Sequence, residues 1–182
     1  MNKYLVCLDY GHGGRDLGAS YKGRYESKDV LRLGRLVAAI LRQAGLDLVE
    51  TRVDDSYIGL YERASLANRR QVDLFVSIHR NAFIAEQARG VEVFVYQRPR
   101  RASWILAQGI LKSLVNLGFK DRGVKLGNFF VLRETRAPAL LIELGFLDNS
   151  QDNLLFDRKL DLIAASISRE ILKSIKFISR GE

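Results

Sequence analysis

The sequence predicts one α/β domain with a largely parallel or mixed sheet, and three observations support this fold class. The chain has 182 residues, which suits one ordinary domain and is too short for two. Hydrophobic residues make up 47% of the chain and charged residues 27%, a composition typical of a globular protein with a core. Apolar segments with strand spacing alternate along the chain with segments that have helix spacing.

Each element is predicted from its own pattern. Short apolar or alternating runs predict strands at residues 4–9, 46–52, 73–79, 90–96, 129–132 and 139–144. Apolar residues at helical spacing predict helices at residues 28–44, 60–70, 102–117 and 160–178, and a short helix capped by Asn149 or Ser150. Gly45 and Gly118 stand where helices commonly end.

Composition limits the classes of function. With 29 Lys and Arg against 21 Asp and Glu, the formal net charge is +8, which favours an anionic partner. Cys7 is the single cysteine, so disulfide-stapled miniproteins and Cys-rich zinc fingers are excluded. No apolar run is long enough to predict a transmembrane helix. No signal-peptide core precedes the first strand, and we expect either synthesis without a signal or a chain that begins after one.

Polar residues at three predicted strand ends indicate a site. His12 follows the first strand, while His79 and Glu143 lie toward the carboxyl ends of later strands. Sites in open α/β sheets form outside these strand ends, so we expect the three side chains to converge. Each is also compatible with an ordinary structural or surface role, which for a lone histidine is the more common one.

The glycine-rich loop around His12 does not match a phosphate-binding motif. The sixth residue from Gly11 is Asp16, so the dinucleotide pattern G-x-G-x-x-G fails, and no Gly-Lys-Ser/Thr follows. We expect the glycines to let the backbone turn sharply and carry His12 into the site. Asp9 and Asp16 are candidates to orient His12, or are turn residues.

Two imidazoles and a carboxylate form a common catalytic zinc set, with water in the fourth position. Glu26, placed in the loop before the first helix, is the best candidate for the third ligand. Glu143 suits the general base, because its apolar strand would desolvate the carboxyl and raise its pKa. The alternative for Glu143 is a solvent-facing carboxylate at a strand end.

Several segments, taken in order over nearly the whole chain, resemble the zinc-dependent N-acetylmuramoyl-L-alanine amidases of the amidase_3 type. They are DYGHGGRDLGA (9–19), Glu26 ahead of a helix, ETRVDD (50–55), LYERASLAN (60–68), DLFVSIHRNA (73–82), RGVEVFVY (89–96), RGVKLGNFFVLRET (122–135) and PALLIELGFLDN (138–149). The resemblance implies a six-stranded twisted mixed sheet flanked by helices. The family often also carries a separate wall-binding domain, which we do not expect in this chain.

The resemblance also implies the activity and its residues. These enzymes cut the amide between N-acetylmuramic acid and L-alanine in peptidoglycan. His12, Glu26 and His79 are then expected to hold one Zn²⁺ and Glu143 to be the catalytic acid/base. We expect a monomer acting on peptidoglycan at the bacterial cell wall. A phage lysin, a sporulation or lysis enzyme and a fragment of a larger autolysin all remain open.

Four further positions bear on how substrate binds. Asn81 and Arg63 are candidate substrate contacts, with a capping Asn and a helix-surface Arg as the structural alternatives. Tyr10 and Arg80 stand where the family commonly has other, smaller residues, which places the groove shape in question. Arg80 and the run Arg98–Pro99–Arg100–Arg101 are expected to attract an anionic wall.

Two other functions compete with this one. The first is a zinc hydrolase, such as a peptidase, that cuts a different amide. The second is a basic nucleic-acid-binding module, which the sequence disfavours because it has no RNP-type motif and its aromatics lie mostly in core-like runs. We therefore expect no nucleic-acid partner.

Overall fold

The computed structural model describes residues 4–178, within which the chain forms eight strands and six helices. The strands are β1 (Leu5–Tyr10), β2 (Ser20–Tyr21), β3 (Arg24–Tyr25), β4 (Asp47–Glu50), β5 (Leu74–Asn81), β6 (Val91–Val95), β7 (Asp121–Leu126) and β8 (Ala139–Phe146). The helices are α1 (Glu26–Gln43), α2 (Leu60–Arg69), α3 (Arg101–Asn116), α4 (Phe130–Glu134), α5 (Ser150–Arg158) and α6 (Leu160–Ile178).

Six strands form one mixed sheet in the order β4-β1-β5-β8-β6-β7, and β2 pairs with β3 as a small hairpin. Every neighbouring pair in the large sheet is parallel except β6 with β8, which is antiparallel. The predicted single α/β domain with a six-stranded, mostly parallel sheet is therefore confirmed. Because β1, β5 and β8 are mutually parallel, their carboxyl ends meet at one edge.

Two apolar clusters cover the two faces of the sheet. The larger one packs α1, α3 and α6 against one face, and the smaller one packs α2 and α4 against the other. Alternation along β1 shows the division, since Val6 and Leu8 belong to the larger cluster and Cys7 to the smaller one. No helix among residues 4–178 is long and apolar enough to span a bilayer.

Most predicted elements are present, and three local predictions were wrong. Residues 129–132 were predicted as a strand, but Phe130–Glu134 is the short helix α4. The prediction failed because an apolar run of four residues is compatible with either structure. Strand β7 was missed because it is a largely polar edge strand without an apolar run. Glu26 does not precede the first helix but begins it.

The predicted helix ends are confirmed where they depended on a particular residue. Gly45 and Gly118 have φ angles of 87° and 109°, in the left-handed region that glycine adopts without steric cost. Asn149 caps α5, and its side chain accepts hydrogen bonds from the backbone N–H groups of Gln151 and Asp152.

A buried ion pair fixes the loop that leaves β1. Asp9 Oδ1 accepts from Arg63 Nη1 at 2.7 Å, and Asp9 also accepts from the hydroxyls of Thr51 and Ser77. The guanidinium of Arg63 further donates to the carbonyls of Tyr10, at 2.6 Å, and His12, at 2.7 Å. Burial alone would raise the pKa of Asp9, but Arg63 and Ser77 hold this pKa below its ordinary value.

Replacement of Arg63 by Met is expected to reduce the free energy of unfolding by about 3 kcal/mol or more, because it leaves the Asp9 carboxylate buried without its cation. Urea denaturation followed by circular dichroism measures the change. Arg69→Met is the matched control on the same helix, since Arg69 is exposed and its guanidinium donates to Ser65. Equal unfolding midpoints for the two variants would contradict a central role for the Asp9–Arg63 pair.

Candidate active site

The four predicted site residues meet at the carboxyl edge of the sheet. His12 lies in the loop after β1, Glu26 begins α1, and His79 and Glu143 are neighbours in the register of β5 and β8. All four line one cavity of about 400 Å³. The structure thus brings together residues separated by as many as 131 positions, as the parallel strand order requires (143 − 12 = 131).

The carboxylate of Glu26 lies between the two histidines. Its Oε1 is 2.9 Å from His79 Nδ1 and accepts from the backbone N–H of Arg80 at 2.9 Å. Its Oε2 is 3.1 Å from His12 Nε2 and accepts from the backbone N–H of Ala19 at 2.9 Å. Both oxygens are therefore fixed by contacts from the loop after β1 and from β5.

The glycines of the loop give the site its close packing. A Cβ atom on Gly11 would lie 2.2 Å from the His79 ring, and one on Gly18 would lie 2.6 Å from Glu26 Oε2. Gly18 also has a φ of 66°, and His12 itself is left-handed with a φ of 61°. The loop is glycine-rich because the backbone must pass beside these side chains, as expected for a loop that carries His12.

Of the two carboxylates expected to orient His12, the structure places one beside it. Asp16 Oδ1 lies 2.9 Å from His12 Nδ1, on the opposite side of the ring from Glu26. Asp9 does not contact the His12 ring and instead binds Arg63, Thr51 and Ser77. Asp9 therefore acts on His12 only through the backbone that Arg63 holds.

Ligand atoms of His12, Glu26 and His79 lie within 4.8 Å of one another, so the three residues form a potential metal site. The two imidazole rings are nearly perpendicular, at 81°, with centroids 5.0 Å apart. Two imidazoles and one carboxylate beside an open cavity are a donor set that can hold a metal ion.

Opposed charges shift the pKa values in this cluster. Burial alone would raise the pKa of Glu26, but hydrogen bonds and charges from both histidines hold it below its ordinary value. Burial alone would lower the pKa of His79, yet its hydrogen bond to Glu26 and the charges of Glu26 and Glu143 raise it to about 9. The cluster therefore stabilises one negative charge between two basic rings.

Glu143 differs from Glu26 in its environment. Burial raises the pKa of Glu143 to about 7, and the charges of Glu26 and Glu92 act in the same direction. Its Oε2 is buried and has no hydrogen-bond partner in the described part of the chain. Glu143 is therefore a carboxyl group poised to exchange a proton near neutral pH, rather than a solvent-facing one.

Sequence reasoning missed Glu92, which faces Glu143 across the antiparallel pair β6 and β8. Glu92 is buried and accepts hydrogen bonds from Asn81 Nδ2 at 2.5 Å and Arg122 Nε at 3.1 Å, and it also pairs with Lys125. The alternation of residues 90–96 predicts the strand but not the burial of Glu92, and only the strand order reveals that its neighbour is Glu143.

The two candidate substrate contacts have different surroundings. Asn81 lies on the cavity wall, where its amide nitrogen donates to Glu92 and its oxygen accepts from the backbone N–H of Ala82. Arg63 lies deeper, is 3% exposed, and donates to Asp9 and to three backbone carbonyls, those of Tyr10, His12 and Ile58. Arg63 is not the helix-surface residue that the structural alternative assumed.

The expectation that Arg80 attracts an anionic wall from the surface was wrong. The side chain of Arg80 is fully buried, pairs with Asp29 at 2.5 Å and packs on the ring of Phe156. Asp29 also pairs with Arg24, so Arg80 belongs to a buried charge network between α1 and β8. Tyr10 is also buried, and its hydroxyl donates to Glu50 at 2.6 Å and lies 3.0 Å from Gly34 O, away from the cavity.

The remaining walls of the cavity are mainly apolar. They include side chains from the segment before α2 and from α4, neither of which the sequence indicated as part of the site: Tyr57, Ile58, Leu60, Phe129, Phe130 and Val131. These residues were missed because their apolar character is equally typical of a core. The polar cluster therefore lies at the bottom of a cleft with apolar sides, the usual arrangement of a substrate site.

Comparisons with known proteins agree with this geometry. The uncharacterized protein YqiI of Bacillus subtilis is 38% identical over 81% of this chain and 72% of its own length. The endolysin of Bacillus phage SPP1 is 37% identical, and LytC, an N-acetylmuramoyl-L-alanine amidase of B. subtilis, is 36% identical. These matches cover 85% and 81% of this chain, but only 59% and 30% of the two relatives.

Solved structures agree over a larger share of both chains. The N-acetylmuramoyl-L-alanine amidase of Clostridium difficile 630 superposes with a TM-score of 0.91 at 36% identity, over 97% of this chain and 98% of that one. Residues 6–175 match the protein family described as N-acetylmuramoyl-L-alanine amidase. The chain therefore belongs to the N-acetylmuramoyl-L-alanine amidase family, as the sequence predicts.

Proposed function

We propose that this chain hydrolyses the amide bond between N-acetylmuramic acid and L-alanine in peptidoglycan, using one zinc ion. In this proposal His12, Glu26 and His79 hold the metal, and Glu143 is the catalytic acid/base. The observation that carries the proposal is the placement of a buried glutamate with an unpartnered oxygen in the same cavity as a cluster of two histidines and one carboxylate.

Family membership and the names of relatives support the substrate. The relatives of this chain include an endolysin and a sporulation-specific N-acetylmuramoyl-L-alanine amidase, and one similar solved structure is the catalytic domain of the amidase CwlV. The relatives share their amidase region with this chain, so we place its action at the bacterial cell wall. The positive net charge is compatible with approach to such an anionic surface.

The residues present fit a zinc ion. His12 and His79 offer imidazole nitrogens, Glu26 offers either oxygen, and Asp16 fixes the second nitrogen of His12 from outside. When bound there, zinc supplies Lewis-acid chemistry that polarises a carbonyl oxygen and increases the acidity of water. The unpartnered Glu143 Oε2 is an acceptor in the same cavity, where a water molecule would complete the set.

Glu143 moves the protons of the reaction in this proposal. As a carboxylate it accepts a proton from the attacking water, and as a carboxylic acid it gives that proton to the nitrogen of the departing L-alanine. A pKa of about 7 lets the same group perform both steps near neutral pH. Burial keeps the pKa of Glu143 high, and the negative charges of Glu26 and Glu92 also favour its neutral acid form.

The chain's other residues hold these groups in place. Arg63 fixes the backbone at His12, and the Arg80 backbone N–H fixes Glu26. Substrate contact by Asn81 stays a prediction, supported by its position on the cavity wall. The substrate contact predicted for Arg63 also stays a prediction, although its guanidinium already makes four hydrogen bonds inside the protein, which favours a positioning role.

The Glu143→Gln variant is expected to lose hydrolysis by about a hundredfold or more while it keeps the fold and the bound metal, because an amide cannot accept the proton. Release of soluble fragments from purified peptidoglycan, with analysis of new L-alanine amines against new sugar reducing ends, measures the activity and identifies the bond. Glu134→Gln, on the exposed face of α4, is the matched control. Hydrolysis by Glu143→Gln at the wild-type rate would exclude Glu143 as the acid/base.

Removal of metal is expected to abolish hydrolysis, and one equivalent of zinc is expected to restore it. His79→Ala and Glu26→Gln should no longer retain zinc after dialysis, as measured by atomic emission, since each removes one of three ligands. Asp16→Asn is the graded control, with zinc affinity about 10-fold to 100-fold weaker than that of the wild type. Full activity of the metal-free protein would contradict the metal assignment, and circular dichroism checks that each variant is folded.

A further inference from the structure

A second hollow, of about 470 Å³, lies at the opposite edge of the sheet from the cavity that holds Glu143. It is formed between the start of α3 and the connection from α4 to β8, beside Ala139, the first residue of β8. Its lining includes six polar residues from these segments: Arg98, Arg100, Ser103, Arg133, Thr135 and Arg136. None of them belongs to the catalytic cleft.

The hollow carries a surplus of positive charge. Four arginines line it against one acidic residue, Glu134, which pairs with Arg133 at 2.8 Å. The guanidinium groups of Arg98, Arg100 and Arg136 are exposed and make no ion pair within residues 4–178. Three arginines from two separate segments therefore present unpaired charge to one space, which the sequence run 98–101 alone did not show.

One buried polar side chain of the lining lacks a hydrogen-bond partner. Thr135 is only 8% exposed, and its hydroxyl has no hydrogen-bond partner in the part of the chain that is described. Helix α3 begins after Arg100 without a side-chain cap and has no acidic residue in its first turn. Its first N–H groups and the positive end of its dipole thus remain available for an anion.

Hydrogen bonds fix two segments of the lining, the connection after α4 and the start of α3. The side chain of Asn68 donates to Glu134 O at 2.7 Å and accepts from the backbone N–H of Arg136 at 2.8 Å, which fixes the connection after α4 to helix α2. The hydroxyl of Ser103 accepts from the backbone N–H of Ala139 at 3.0 Å and ties α3 to β8. These contacts fix the backbone that carries Arg133 and Arg136, and the start of α3 at Ser103.

We propose that this hollow binds the phosphate groups of a phosphodiester-linked anionic polymer attached to the cell wall. Guanidinium groups, a hydroxyl and a helix N-terminus are together the donors that recognise phosphate oxygens. The choice of a wall polymer rests on the proposed function, which places the enzyme at the wall. Single-stranded nucleic acid is disfavoured, because Tyr96 is the single aromatic in the lining and successive unpaired bases require several stacking surfaces, whereas duplex DNA is separated by the test.

The test compares binding to two preparations of the same Gram-positive walls, one intact and one with its phosphodiester polymer removed by hydrofluoric acid. The full chain is sedimented with each preparation at fixed ionic strength. We expect the wild type to bind intact walls about tenfold more tightly than stripped walls. The triple variant R98Q/R100Q/R136Q should lose that difference, because it removes the three unpaired guanidinium groups.

A matched variant separates the hollow from net charge alone. K28Q/R32Q/R35Q also removes three positive charges, from the exposed side of α1, and should retain most of the preference for intact walls. Thr135→Val keeps the side-chain volume and removes the unpartnered hydroxyl, so it should weaken binding about threefold without lowering thermal stability. All of these variants should hydrolyse a soluble muropeptide at the wild-type rate.

Three results would overturn this inference. They are equal losses in the two triple variants, equal binding of the wild type to intact and stripped walls, and tighter binding of duplex DNA than of intact walls at the same ionic strength. Failure of the wild type to hydrolyse the muropeptide would count against the proposed function instead. The two proposals therefore fail on different measurements.

Discussion

The carboxylate of Glu26 is the contact on which the arrangement of the site depends. Its two oxygens join the loop after β1, the start of α1 and the end of β5, through His12, His79 and two backbone N–H groups. His79 and Arg80 of β5 are more than 50 residues from Glu26 in the sequence, so the fold must bring β5 and the start of α1 to the same sheet edge. A carboxylate is the suitable group at this position because its two oxygens can face two backbone N–H groups and two imidazole rings at once.

Two buried arginines support that carboxylate from opposite sides. Arg63 pairs with Asp9 and holds the backbone carbonyl of His12, while Arg80 pairs with Asp29, one turn along α1 from Glu26. A buried charge is retained only where it is paired and hydrogen-bonded, so each arginine fixes the segments around it to a narrow range of positions. A metal site needs such fixed ligands, because small displacements change its geometry and affinity.

The sequence was informative where a local pattern decides the structure. Apolar spacing predicted the sheet and the long helices, and scarce histidines near strand ends predicted His12, His79 and their convergence with Glu26 and Glu143. It was uninformative where the outcome depends on neighbours distant in the chain. An arginine such as Arg80 is expected at the surface, but here its side chain is buried between Asp29 and the ring of Phe156. Glu92 adjoins Glu143 only because β6 runs antiparallel to β8. The segment that forms α4 was predicted wrongly because its short apolar run is compatible with either a strand or a helix.

The fold places arginines of this chain in two contrasting environments: some are buried beside an acidic partner, and others are exposed without one among residues 4–178. Arg63 and Arg80 are neutralised inside the protein and serve the geometry of the catalytic edge, so they contribute little to attraction at a distance. Arg98, Arg100 and Arg136 stay exposed at the other edge of the sheet, without acidic partners in the structure described. Net charge attracts any polyanion, whereas guanidinium groups beside an unpartnered hydroxyl and a helix start select for phosphate oxygens. An enzyme that works on a solid polymer gains from binding at a distance from its cleft, because its cleft then meets new bonds without a full dissociation.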